Sequence, residues 1–239
     1  MHRFFVEENY RKIITIDGNL AHHIADVLRM TVGEKLELVF DDGVIAKGAV
    51  QKIEGNKVTV CTNEVVAEGN EPSVQVTLAQ GLAKGEKMDL VVQKAVEVGA
   101  VAIIPLALDN SVVRFDDGRA TKKVERWQKI ALEAAQQAKR DVIPKVGAVQ
   151  SLAQALTNDY DLIIMAYEGE TEVKLKDVLT EKKYQNVLLI IGPEGGFSEE
   201  EVELCRNKGA RTVSLGRRIL RTETAGIVAL SCIFYEYRD

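Results

Sequence analysis

An α/β fold in two parts is what the sequence predicts: a small antiparallel β-barrel over residues 1–70, then a larger domain over 74–239 built on a parallel sheet. Three observations predict it. Short runs rich in β-branched and aromatic residues crowd the first part. Beyond it, apolar strand-like runs alternate with segments of helical period. Between the two lies AEGNEPS (67–73), a polar stretch containing Gly and Pro that reads as a linker.

The expected strands of the first part are RFFV, KIITI, KLELVF, VIAKGAVQKI and KVTVCTNEVV, with one helical stretch, NLAHHIADVLRM, among them. Asp42-Gly43 and Gly55-Asn56 are the turn signals, and the even spacing of short strands suggests barrel closure. In the second part VQVTLAQG is a strand, EKMDLVVQKAVEVG a helix and AVAIIPLAL a strand. A long loop, DNSVVRFDDGRA, leads to the helix TKKVERWQKIALEAAQQAKR and to KVGAV. Short helices near Ser151 and Val173 flank the strand DLIIMAY and precede NVLLIIG. A helix opening at Ser198, the strand TVSLG, a loop and a last helix complete the pattern. Strands separated by helices form parallel sheets covered on both faces.

The bulk numbers narrow the function. The chain of 239 residues is 46% hydrophobic and 28% charged, an ordinary globular composition. No apolar run reaches the length of a membrane span, and MHRFFVEENYRK has no signal-peptide core, so a cytoplasmic protein is expected. The cysteines, Cys61, Cys205 and Cys232, lack metal-ligand spacing and read as reduced, mostly buried thiols. A net charge of −5 argues against indiscriminate nucleic-acid binding. That charge is uneven, because residues 72–145 hold 12 basic against 9 acidic residues while both flanks are acidic. A positive middle focuses one anionic partner locally.

GPEGGFSEEE (192–201) is the first candidate site. A glycine-rich turn between strand and helix usually means a phosphate. Here Ser198 and Glu201 form a capping box, and Glu199, Glu200 and Glu201 fill the first helical turn. A pyrophosphate would meet like charge there. The dinucleotide order G-x-G-x-x-G is absent, as is the Gly-Lys-Ser/Thr of a phosphate loop. These residues alone describe either a tight turn before a capped helix or a backbone-lined pocket for a neutral or cationic ligand.

LGRRILRTETA (215–225) is the second. Arg217, Arg218 and Arg221 crowd a loop ahead of the last helix, for which Thr222 is a plausible N-cap. Guanidinium forks suit phosphates or a polarised carbonyl, and the alternative is a solvated arginine loop paired with nearby glutamates. The last helix is apolar on nearly every side, which places it in the core or at a homodimer interface. The helix near residue 130 is two-faced: Trp127, Ile130, Ala131, Ala134 and Ala138 make its apolar stripe. Arg126, Lys129 and Arg140 lie on the other side, either as a solvated face or as a track along a phosphate backbone. Lys84, Lys87 and Lys94 surround the helix before it. No metal cluster is expected, and no G-x-S-x-G or Cys–His arrangement points to acyl transfer.

QGLAKGEKMDLVVQKAVEVGA, RWQKIALEAAQQAKRDVIP, LLIIGPEGGFSEEE and LGRRILRTETA, in that order, closely resemble the RsmE family of bacterial small-subunit rRNA methyltransferases, within the SPOUT superfamily. HRFFV and HHIADVLRM fit its PUA-like domain, so the resemblance runs along nearly the whole chain. It implies a PUA-like RNA-binding barrel and a SPOUT domain with a C-terminal trefoil knot. It also implies a homodimer that transfers methyl from S-adenosyl-L-methionine to N3 of one uridine (position 1498 in the conventional numbering of 16S rRNA), within the small ribosomal subunit. The implied cofactor loops match Met165 and Ala166, then Gly192, Pro193, Gly195 and Gly196, then Leu215, Gly216, Ile219, Leu220 and Thr222. Arg221 and Arg218 are the implied stabilisers of the uracil anion, with Glu223 the nearest carboxylate. RNA contacts would come from Arg3, His23 and Arg29 in the first part and Lys84, Arg126, Lys129 and Arg140 in the second. A non-catalytic RNA-binding factor in ribosome assembly is the alternative from another class. A nucleotide-dependent dehydrogenase runs against the charges around the glycine turn.

Overall fold

A computed structural model describes residues 1–66 and 69–237, so Ala67 and Glu68 of the linker and the last two residues, Arg238 and Asp239, lie outside the described residues. The chain divides into two compact units. The first comprises Met1–Glu71 and Gln136–Val142, and the second comprises Pro72–Ala135 and Ile143–Asp239.

In the first unit, strands β1 (His2–Val6), β2 (Ile13–Asp17), β3 (Lys35–Phe40), β4 (Ile45–Glu54) and β5 (Lys57–Val66) form one curled sheet in the order β1-β3-β4-β5-β2. A short helix, α1 (Gly18–His22), runs into a π-helical turn (His23–Val27) between β2 and β3. Pairing is antiparallel except between β1 and β3. The expected antiparallel sheet is present with one parallel pair, β1–β3, and β1 and β2 are the edges of the ladder. A parallel pair requires a crossover between its strands, which β2 and α1 provide. Period-2 alternation along β2 buries Ile14 and Ile16 beside Phe4, Leu36, Leu38 and Val60 in one apolar core.

Arg3 and Arg140 explain why the segment near residue 140 belongs to this unit. Arg3 is 5% exposed; its guanidinium meets Glu37 at 3.1 Å and Asp141 at 2.5 Å and donates to the carbonyl of Lys139 at 2.7 Å. Arg140 is equally buried and grips both carboxylate oxygens of Glu71, Nε to Oε1 at 2.9 Å and Nη2 to Oε2 at 2.5 Å. Bidentate pairs of this kind fix geometry as well as charge. Lys139 turns the chain with φ of 56°, which ends the preceding helix and aims its carbonyl at Arg3.

The second unit carries β6 (Gln75–Gly81), α2 (Lys87–Val98), β7 (Ala102–Leu106), α3 (Asp117–Gln137), β8 (Lys145–Val146), α4 (Leu152–Ala155), β9 (Leu162–Ala166), α5 (Leu175–Leu179), β10 (Asn186–Ile191), α6 (Glu199–Asn207), β11 (Arg211–Val213) and α7 (Thr222–Tyr237). Its six strands run parallel in the order β11-β9-β10-β6-β7-β8. The central strands β6, β9 and β10 are buried along most of their length, as sheets covered on both faces require. Their near-continuous apolar sequences follow from that position. β8 is short because Gln128 of α3 takes over part of its pairing. Its side chain accepts from the Val146 N–H at 2.8 Å and donates to the Pro144 carbonyl at 3.1 Å.

On α3 the apolar stripe is buried through Trp127, Ala131, Ala134 and Ala135, and the Trp127 indole donates to Asp89 of α2 at 3.0 Å. α7 buries Gly226, Ala229, Leu230, Ile233 and Phe234 against α2, β6 and β10. Cys232 and Tyr235 on its other side are exposed. The helix that reads as apolar all round is therefore half-buried within one chain.

Arg3→Leu is expected to lower the urea unfolding free energy by about 3 kcal/mol, because it strands two carboxylates in a largely dry site. Equilibrium urea titration followed by circular dichroism measures it.

Candidate functional site

The C-terminal ends of adjacent parallel strands converge, and loops leaving them line common crevices. Here β9, β10 and β11 are such a set, and the loops after them wall a cavity of ≈ 440 Å³. Ala166 ends β9, and Tyr167 and Glu168 follow it; Gly192, Pro193, Glu194 and Gly196 follow β10; Ser214, Leu215 and Gly216 follow β11. Arg218, Ile219, Leu220 and Arg221 continue the third wall into Thr222 at the start of α7, and Lys87 of α2 closes one side.

The glycine turn keeps its shape through close backbone packing. A Cβ at Gly81, the last residue of β6, would lie 2.5 Å from the Pro193 nitrogen, so the two backbones meet only because neither intervening group has a side chain there. Gly196 has φ of 68°, and a Cβ there would fall 2.1 Å from a carboxylate oxygen of Glu168. A short hydrogen-bond chain then joins three segments. The Thr222 hydroxyl donates to the Gly192 carbonyl at 2.5 Å and accepts from the Gln80 amide at 2.8 Å. Gln80 is fully buried at the end of β6. Thr222 thus does more than open a helix: it ties β6, the glycine turn and α7 together.

The glutamates around the glycine turn are accounted for one by one. The Glu201 carboxylate accepts from the backbone N–H of Ser198 at 3.0 Å and of Asp109 at 2.9 Å, so it serves the capping box and clamps the loop after β7. Asn110 of that loop donates to the Gly195 carbonyl at 3.1 Å. Glu194 accepts from Lys87 at 2.7 Å and from the Lys84 N–H at 3.1 Å. Burial works against the charged form of Glu194, yet its carboxyl lies below the ordinary range because these donors prevail. Glu199 and Glu200 are exposed. Beneath α6, burial first and the neighbouring Glu201 second push the Cys205 thiol up to about 12, so it stays protonated.

Of the residues singled out in the sequence, Ala166, Gly192, Pro193, Gly196, Leu215, Gly216, Ile219, Leu220 and Thr222 line the cavity, together with Arg218 and Arg221. Met165 does not: it is fully buried in the core with Leu188, Ile190 and Phe197, because alternation along β9 turns it away. Gly195 abuts Asn110 instead of the cavity. Glu223 stands outside the lining, its Oε2 buried and 3.6 Å from Lys87. Among the candidates for RNA contact, Arg29, Lys84 and Lys129 are exposed, and His23 is half-buried edge-on to Phe4. Arg126 is exposed but paired with Asp89 at 2.5 Å. Arg3 and Arg140 are internal struts with no guanidinium face turned outward. Tyr167 and Glu168 had no motif to mark them; only their place after the end of β9 brings them to the wall, which Lys87 of α2 joins.

A parallel-sheet unit with this three-walled cleft, preceded by a curled sheet, is the organisation of an RNA methyltransferase with a PUA domain. Residues 70–234 match the family model for the RNA methyltransferase domain, and residues 16–60 match that for the RNA methyltransferase PUA domain. Full-length relatives narrow the assignment. The ribosomal RNA small subunit methyltransferase E of Bacillus subtilis (strain 168) is 40% identical over 99% of this chain and 97% of its own. A Neisseria gonorrhoeae protein of that name, crystallised bound to S-adenosyl methionine, is 30% identical with a TM-score of 0.86, covering 98% of this chain and 96% of that one. A putative methyltransferase from Legionella pneumophila, in complex with the bound cofactor SAM, is 32% identical with a TM-score of 0.88 over 97% and 96% of the two chains. The chain belongs to the ribosomal RNA small subunit methyltransferase E family.

Two expectations follow from the geometry. Thr222→Val leaves the Gly192 carbonyl and one Gln80 donor unpaired and should cost about 1–3 kcal/mol in urea unfolding. The second concerns acid. The backbone N–H groups of Glu172 and Val173, then the Thr212 hydroxyl, hold the Glu170 carboxyl below its ordinary range. A lowered carboxyl binds fewer protons in the folded state, so its contribution is present above the unfolded value of about 4.3 and fades as pH falls below it. Glu170→Gln should therefore flatten the acid limb of a melting-temperature profile while lowering stability near neutrality.

Proposed function

We propose that this chain methylates N3 of one uridine of 16S rRNA in the small ribosomal subunit, using S-adenosyl-L-methionine. One observation carries the reading. The cleft at the strand ends is walled by three loops, and of the acids of its glycine turn Glu194 is paired with Lys87 while Glu201 is held by backbone N–H groups. Such a pocket suits a nucleoside with no phosphate. Its ≈ 440 Å³ falls in the range of small-ligand sites. The donor named on the related crystal structures fits these residues in size and in polarity.

The methyl donor supplies an electrophilic carbon on a sulfonium. The chain's own residues must supply the rest. Uridine N3 becomes nucleophilic as its proton leaves, and charge then spreads to O2 and O4. Arg218 and Arg221 line the cleft, and among the described residues neither has an ion-pair partner. Guanidinium donors stabilise an anion as it forms. Glu223 acts one step back, as a positioning group: 3.6 Å from Lys87, it sits in the first turn of α7, which Arg221 immediately precedes. Holding both reactants in one cleft contributes further through lost freedom already spent in binding.

The partners follow from the same reading. RNA is met by exposed cations, Arg29, Lys84 and Lys129, on a folded surface recognised by shape and phosphates. The exposed side of α7, with Cys232 and Tyr235, supports a homodimer. The trefoil knot is carried by the resemblance alone. No described helix is long and apolar enough to cross a membrane, and a cytoplasmic enzyme acting on assembled subunits is the reading we adopt.

Primer extension tests it. Small subunits lacking the modification, incubated with the chain and the donor, should block reverse transcriptase one nucleotide before the target, because a methyl at N3 removes the pairing edge. Arg221→Ala should lower the yield by roughly 100-fold or more while donor binding persists. A chain that binds rRNA but no donor would be an assembly factor instead.

A further inference from the structure

Five charged side chains line the cleft: Lys87, Glu168, Glu194, Arg218 and Arg221. Lys87 and Glu194 neutralise each other at 2.7 Å. Glu168 has no hydrogen bond or ion pair among the described residues, and it is the one lining carboxylate in that state. Its side chain is exposed to solvent at the cleft wall. Its carboxylate lies directly over the Gly196 backbone, 2.1 Å from where a Cβ would stand. The glycine turn therefore leaves room for this side chain and for nothing larger beneath it.

We infer that Glu168 is the cation-binding group of the cleft, and that it holds the positively charged methionine end of the donor while Arg218 and Arg221 face the anionic reactant. This inference rests on the reading of the cleft as a methyl-donor site. An unpaired carboxylate in a partly enclosed pocket attracts a cation more strongly than in bulk water. Of the two carboxylates in the lining, Glu194 is occupied by Lys87, which leaves Glu168 as the free negative charge of the cleft wall. The two signs are supplied by separate loops, the carboxylate by the loop after β9 and the guanidiniums by the loop after β11. That separation lets the cleft order a zwitterionic donor end to end.

Glu168→Gln keeps the size and removes the charge. Isothermal titration should show S-adenosylmethionine binding about tenfold weaker, equivalent to about 1.4 kcal/mol, with adenosine affinity unchanged because adenosine carries no cation. A matching loss for S-adenosylhomocysteine places the contact at the ammonium, and a loss confined to S-adenosylmethionine places it at the sulfonium; both support the assignment. Equal affinity of variant and wild type for S-adenosylmethionine overturns it, as does an equal loss for adenosine. If the wild-type chain itself binds no S-adenosylmethionine, the methyl-donor reading falls and takes this inference with it. Thermal melting of the variant, expected to match wild type, confirms that the charge and not the fold was altered.

Discussion

The Thr222 hydroxyl, set between the Gly192 carbonyl and the Gln80 amide, is the contact on which the cleft depends. It joins the end of β6, the turn after β10 and the first residue of α7, three segments remote in sequence. Gln80 is fully buried, so this chain of donors and acceptors sits where an unmade bond is costly. The neighbouring Gly81 lets the glycine turn approach β6 at backbone distance. With these in place, the loops that wall the cleft have little freedom to collapse into it.

Charge in this unit is sorted by task. Glutamates crowd the glycine turn, yet two of them are construction: Glu201 caps α6 and clamps the loop after β7, and Glu194 binds Lys87 and the Lys84 backbone. The cations divide in the same way. Arg3 and Arg140 are internal struts of the first unit, Arg126 is tied to Asp89, and Arg218 and Arg221 remain open in the cleft wall. A cleft whose arginines stay available while Glu194 is tied to Lys87 keeps its open cations on one wall. Net charge alone conveys none of this, because the same residue type is structural in one place and chemical in another.

Much of the architecture was legible in the chain. The strands of both units appear as apolar or alternating runs, because burial on one or both faces imposes those patterns directly. The capping box at Ser198 and Glu201 is a local device and reads locally. The two motif loops are contiguous, so most of the residues singled out in them do line the cleft. Met165 and Ala166 are neighbours on β9, and a side-chain period of two turns Met165 to the core while Ala166 lines the cleft.

By itself, then, the sequence determined the elements and the two motif loops that line the cleft, since each depends on neighbours along the chain. Tertiary structure alone decided the rest. It made β1 and β3 parallel, brought residues 136–142 back to the first unit, and turned Arg3 and Arg140 inward. It also placed Lys87, Tyr167 and Glu168 at the cleft. The physical reason is common to all of these. Pairing of distant strands and the meeting of loops at their ends arise from the order of the sheet, and no local period encodes that order.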